Sequence, residues 1–188
     1  DHDYYHALDN QSVNPEGHVL GWYAVNDYVL NADVIINVPK LKTHQEMIAT
    51  ISLKNFVGCT LSSTFNNFGY LERIAHHHQP KETNYFTNNI FWRAILDMNK
   101  IILYADADGV LQPDQQRKYL TVVDAIQGME KSQHHSYGGG GIPYDTRVIL
   151  AGVDPVAVDA VGCRIMGYDY RVIPSINYPN SDNNTDTV

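Results

Sequence analysis

The chain has 188 residues, a formal net charge of -8 and 44% hydrophobic residues, an ordinary globular composition with enough chain for one real core. The acidic balance argues against a nucleic-acid partner, which needs a basic face, and no run of about 18 apolar residues exists to span a membrane. Cys59 and Cys163 are far apart and form no C-x-x-C pair, which excludes a self-contained iron–sulfur or cysteine-rich zinc site and makes a reduced, cytoplasmic setting the default.

The chain opens on DHDYYHALDN, without a methionine or an apolar leader, which suggests a processed chain or a piece of a longer protein. Residues 1 to 18 read as irregular. GWYAVNDYVLNA, Gly21 to Ala32, places Trp22, Val25, Val29 and Leu30 near helical spacing. DVIINV, Asp33 to Val38, is short and β-branched, and Pro39 ends it, which predicts a buried strand. Glu46 to Val57 predicts a helix stopped by Gly58. Residues 59 to 86, with SSTFNNFG, HHH and QPKETN, predict a long loop.

Asn88 to Ala105 is an amphipathic helix by its spacing of Phe91, Ala94, Ile95 and Met98, capped by Thr87 or Asn88; its end, IILYAD, is open to a short strand instead. DADG resembles a calcium loop only superficially, because its glycine falls fourth and the twelfth-position glutamate is missing, so it reads as a turn. YLTVVD, Tyr119 to Asp124, and TRVILAG, Thr146 to Gly152, predict two further buried strands, separated by the glycine-rich MEKSQHHSYGGGG. DPVAVDAVGCRIMG is the strongest helix, with Asp154 as N-cap, Pro155 at the first helical position and Gly167 as the stop. We expect one α/β domain over residues 1 to 175 and a polar tail over 176 to 188.

Continuous apolar strands separated by helices predict an α/β fold with a mostly parallel sheet covered by helices, and ligands then sit beyond the carboxyl ends of the strands. Lys40, Lys42 and His44 follow the first strand, Asp124 ends the second with Glu130 beyond it, and Asp154 follows the third. Parallel strands would bring these groups to one edge.

The lysines carry compact positive charges suited to a carboxylate or phosphate, and His44 can move a proton near neutral pH. Lys54 and Asn55 add a second charge and an amide, with Lys54 set in an apolar segment where an unpaired charge is expensive. Solvated turn lysines are the bland alternative. Asp124 and Glu130 are hard oxygen ligands for a divalent metal, with His77 of the histidine run as a third candidate; adjacent loop histidines rarely face one ion. Asp154 reads better as a helix cap than as a catalyst. Asp159 lies on a helix apolar nearly all round and must be buried and partnered.

ADVIINVPKLKTH, SLKNFVGC, YLTVVDAIQGME and ILAGVDPVAVDAVGCRIMG, in this order over about residues 32 to 167, resemble the domain of unknown function 362 family. AHHHQP resembles a subgroup with a PHH segment. The KPN-like segment that opens many members is not found, so the chain looks like the C-terminal larger part of such a protein; ferredoxin-like cysteine clusters of some relatives are also absent. Glu130 is followed by KSQHHSYGGGG and not by the family's glycine–proline continuation, which puts ligand contacts from that loop in doubt. The resemblance implies an α/β fold and a shared polar site, and names no reaction.

Three readings follow. In the first, Lys40, Lys42, Lys54 and Asn55 bind a small anionic molecule, His44, Lys42 and Asp124 do acid–base work, and Asp124, Glu130 and His77 hold a divalent metal. In the second, the chain is a redox-associated accessory or binding module without its own catalysis. In the third, the lysines pair with Asp124 and Asp159 as a structural network. A small anion is the candidate partner, with neither nucleic acid nor membrane expected; composition does not set the oligomeric state.

Overall fold

The computed structural model describes residues 4–8, 22–44, 47–59, 89–131 and 141–177. The expected loop over 59–86, with His77, lies outside the described residues apart from Cys59, as do His134, His135 and the first three glycines of the GGGG run. Strands β1 (Tyr4–Leu8) and β2 (Trp22–Asn26) pair antiparallel as a separate ribbon. Asn26 then caps α1 (Asp27–Leu30), its side chain accepting the Tyr28 N–H. The helical spacing over 21–32 therefore divides into a strand and one helical turn.

Among the described residues the main sheet has five strands: β3 (Val34–Asn37), β4 (Lys40–His44), β5 (Ile48–Thr50), β6 (Lys118–Glu130) and β7 (Ile142–Gly152). β6 is its axis. β3 and β4 both run parallel to β6, with Asn37 opposite Thr121 and Lys40 opposite Asp124. They lie end to end along one edge of β6, interrupted at Val38 and Pro39, and the register of β4 on β6 shifts again between Lys40 and Lys42. β7 runs antiparallel along the other edge, and β5 runs antiparallel to β4. The architecture is an α/β fold in which β3, β4 and β6 supply the parallel pairing.

Helix α2 (Ser52–Asn55) follows β5, a 3-10 turn (Phe56–Cys59) extends it, and α3 (Asn89–Tyr104) leads back towards β6. The segment expected to be one helix over 46–57 is thus a strand, a bend at Ile51 and a short helix. Thr50 and Ile51 are β-branched, and Ile48 pairs with His44, so sheet pairing wins there. The end of α3 stays helical through Tyr104. Beyond it Asp106 organises a turn, its Oδ1 accepting the N–H groups of Asp108 (3.1 Å) and Val110 (2.9 Å).

Helix α4 (Pro155–Ile165) forms as its sequence predicts: the Asp154 carboxylate accepts the N–H groups of Val156 (2.8 Å) and Ala157 (3.1 Å), and Gly167 takes φ +84 beyond the end. Gly162 on this helix faces Ile51 and Leu41; a β-carbon there would lie 2.6 Å from Ile51 Cδ1, so a side chain at this position would require Ile51 to move. A 3-10 turn (Tyr170–Val172) leads to α5 (Pro174–Asn177). Leu41, Ile51, Ile95, Met98, Ile102, Val123, Cys163 and Ile173 form the centre of the core between the helices and one face of the sheet.

Arg117 anchors the entry to β6. Its buried guanidinium donates to the carbonyls of Ile102 (3.0 Å), Ala105 and Leu30, capping the ends of α3 and α1 together. These carbonyls lack intrahelical partners, so one cation satisfies orphans from two helices. Replacing Arg117→Ala leaves three buried acceptors without a donor and should cost about 3 kcal/mol. Urea denaturation of parent and variant measures this, and a loss below about 1 kcal/mol would show the three bonds to be dispensable.

Candidate functional site

The basic stretch is itself a strand. Pro39 interrupts β3, but pairing resumes at Lys40, and β4 reads K-L-K-T-H with period two. Leu41 turns into the core and meets α4. Lys40, Lys42 and His44 therefore share the opposite face, away from the helices.

Lys40 Nζ lies 2.8 Å from Asp124 Oδ2 across the parallel pair. The pair is exposed, at 39% and 49% of the side chains, so it contributes little net stability. The Lys40 hydrogen bond nonetheless holds the Asp124 carboxyl below the usual carboxylate range. Next along β4, Lys42 stands directly across from Thr50 of β5. The Thr50 hydroxyl is buried and has no hydrogen-bond partner, an expensive arrangement for a polar atom. The Met47 N–H donates to His44 Nδ1 at 3.3 Å, so the proton of the neutral ring sits on Nε2. The tight connection places Ile48 at φ 63, a left-handed conformation uncommon for a β-branched residue.

Other candidates go elsewhere. Lys54 is buried on α2, in the helix layer, away from the face that carries Lys40 and Lys42. Asn55 donates its amide to Asn37 Oδ1 at 2.6 Å. Glu130 lies six residues beyond Asp124 on the same strand, with a shift of register against β4 between them. Among the described residues, no group of three histidine, cysteine or acidic side chains is placed to hold a metal. Asp154 also leaves the set: antiparallel β7 ends beside Thr121, so Asp154 emerges at the opposite end of β6 from Glu130.

Asp159 takes a role that its apolar helix hinted at but did not specify. Its Oδ1 accepts the Ser52 N–H at 2.6 Å, and its two oxygens lie 3.4 and 3.3 Å from the Leu53 nitrogen. It thus caps α2 from across the core. Ser52 is fully buried and joins a cluster of small polar groups. Its hydroxyl lies 2.6 Å from Tyr119 Oη and 2.7 Å from Thr121 Oγ1, and Asn37 donates to the Ser52 carbonyl (2.9 Å) and to Tyr119 Oη (2.8 Å). Burial pushes the Asp159 carboxyl up to about 8, against the pull of the two backbone N–H groups. The adjacent buried Cys163 thiol is pushed up to about 12 by burial and by Asp159.

These residues were compared with known proteins. A family described as "Domain of unknown function (DUF362)" matches residues 2–164. The chain belongs to that family. It is 26% identical over 150 residues to the thylakoid-associated protein sll1697 of Synechocystis, an alignment covering 78% of this chain. The same alignment covers 36% of that relative, so the chain spans little more than a third of its length. No solved structure matches. No described helix is long and apolar enough to cross a membrane.

The Asp159 geometry has a consequence for pH. The carboxyl is protonated at neutral pH in the folded protein and ionised when unfolded, since its ordinary value is 3.8 and its folded value is about 8. Folding therefore takes up a proton in this window, and the contribution is full below about pH 4 and lost as pH rises through 8. Asp159→Asn keeps an acceptor for Ser52 and removes the titration. Its urea midpoint should stay level between pH 5 and pH 8, while that of the parent falls; parallel curves would rule out Asp159 as the source.

Proposed function

We propose that the chain is a binding module for a small anionic molecule, held on β4 and β5 by Lys42, the Thr50 hydroxyl and His44, with Lys40 beside them. The observation that carries this reading is the Lys42–Thr50 pair: the two residues are partners in the β4–β5 register, and the Thr50 hydroxyl is buried without a hydrogen-bond partner. A phosphate or carboxylate oxygen accepts from both and offsets the cost of the orphaned hydroxyl. His44 lies two residues further along the same strand and brings an imidazole to this end of the sheet.

Binding is favoured over proton transfer because the groups that would do acid–base work are already engaged. His44 Nδ1 takes the Met47 N–H, and Asp124 takes Lys40. An anion is favoured over a divalent metal because, among the described residues, no group of three histidine, cysteine or acidic side chains is placed to hold one. We therefore read the chain as an accessory or binding module and not as an enzyme. Both cysteines are free, with Cys163 acting as a small apolar core residue, and we read this as the signature of a reducing compartment such as the cytoplasm.

Calorimetric titration with inorganic phosphate and with succinate tests the reading. At least one should bind saturably and more weakly as salt is raised. Lys42→Ala should weaken it about tenfold, and the near-isosteric Thr50→Val about fivefold, both with unchanged urea midpoints. Absence of saturable binding by either anion, or a Lys42→Ala protein that binds like the parent, would remove this function.

A further inference from the structure

Charge is cancelled unevenly along β4. Lys40 Nζ is paired with Asp124 Oδ2 at 2.8 Å. The other oxygen of Asp124 accepts the Ile126 N–H at 3.3 Å, so the carboxylate is tethered from both sides. Among the described residues, Lys40 is the charged group that acts on this carboxyl. Lys42 differs. Its register partners are Thr50 on β5 and Met129 on β6, and among the described residues no carboxylate pairs with it. Glu130 follows Met129, so strand alternation turns it to the other face. Two ammonium groups thus stand two residues apart, and a carboxylate of the protein itself neutralises the first.

Building on the reading of Lys42 and Thr50 as an anion site, we infer that Asp124 is its specificity-determining residue: it acts as an internal anion on Lys40 and restricts the site to singly charged oxyanions. A monoanion at Lys42 matches the charge that the Lys40–Asp124 pair leaves uncancelled. A dianion brings a further negative charge, and the nearest additional cation already holds a carboxylate. Repulsion from a fixed carboxylate grows in proportion to the charge of the ligand. A penalty of a given factor for a monoanion is therefore that factor squared for a dianion. Lys40 and Lys42 are about 7 Å apart at roughly 3.3 Å per residue, where one unit charge in water changes affinity about threefold. Asp124 then disfavours a dianion about ninefold.

Methyl sulfate and sulfate test this, because they share an oxyanion geometry and differ by one charge. Both are titrated calorimetrically at low ionic strength into the 188-residue protein and its variants. Asp124→Asn keeps an acceptor for the Ile126 N–H. It should tighten methyl sulfate about threefold and sulfate about ninefold, a gain that damage to the fold would not produce. Lys40→Met leaves Asp124 uncompensated and should weaken both anions, sulfate by the larger factor. Sulfate binding seen only in Asp124→Asn bears the inference out. A parent that binds, with an Asp124→Asn protein that binds no tighter or tightens both anions by the same factor, overturns it and leaves the anion site standing. Absence of binding by parent and Asp124→Asn alike overturns both. Should Asp124→Asn misfold, the change in the sulfate to methyl sulfate ratio in Lys40→Met decides alone.

Discussion

The fold turns on one carboxyl group that caps a helix to which it is not joined. Asp159 belongs to α4, after the last strand, and accepts the first N–H groups of α2, which begins more than a hundred residues earlier. That bond fixes Ser52, and Ser52 in turn organises Asn37 from β3 and Tyr119 and Thr121 from β6. The end of β3, the start of α2, the start of β6 and the face of α4 are therefore held by one chain of hydrogen bonds. A carboxyl protonated at neutral pH suits this position. It carries no buried charge, yet it retains an acceptor for the backbone. Gly162, one turn further along α4, completes the arrangement by letting the helix approach Leu41 and Ile51.

The parts legible in the sequence were those governed by local chemistry. Asp154, Pro155 and Gly167 mark α4 because caps act within a turn of the helix end. The spacing in Asn89–Tyr104 marks α3 for the same reason, through its one apolar stripe. Strand direction carries no such mark. TRVILAG is equally apolar whether parallel or antiparallel, and only its pairing with β6 reveals that Asp154 leaves from the far end. The strand β4 was legible in principle: K-L-K-T-H alternates, but Pro39 directs attention to an end that turns out to be an interruption between two collinear strands. Thr50 was not legible, because its importance lies in the register that sets it opposite Lys42.

The outward face of the sheet changes character along its length. At the β4 end of the outward face, period two brings Lys40, Lys42 and His44 to one side, and the register of β5 sets Thr50 beside Lys42. Towards the start of β3 and β6 the same face becomes valine, isoleucine and leucine. Lys40 and Asp124 sit where one character changes into the other. An exposed ion pair contributes little to the stability of the single chain, so its place at this boundary is better explained by what approaches the face.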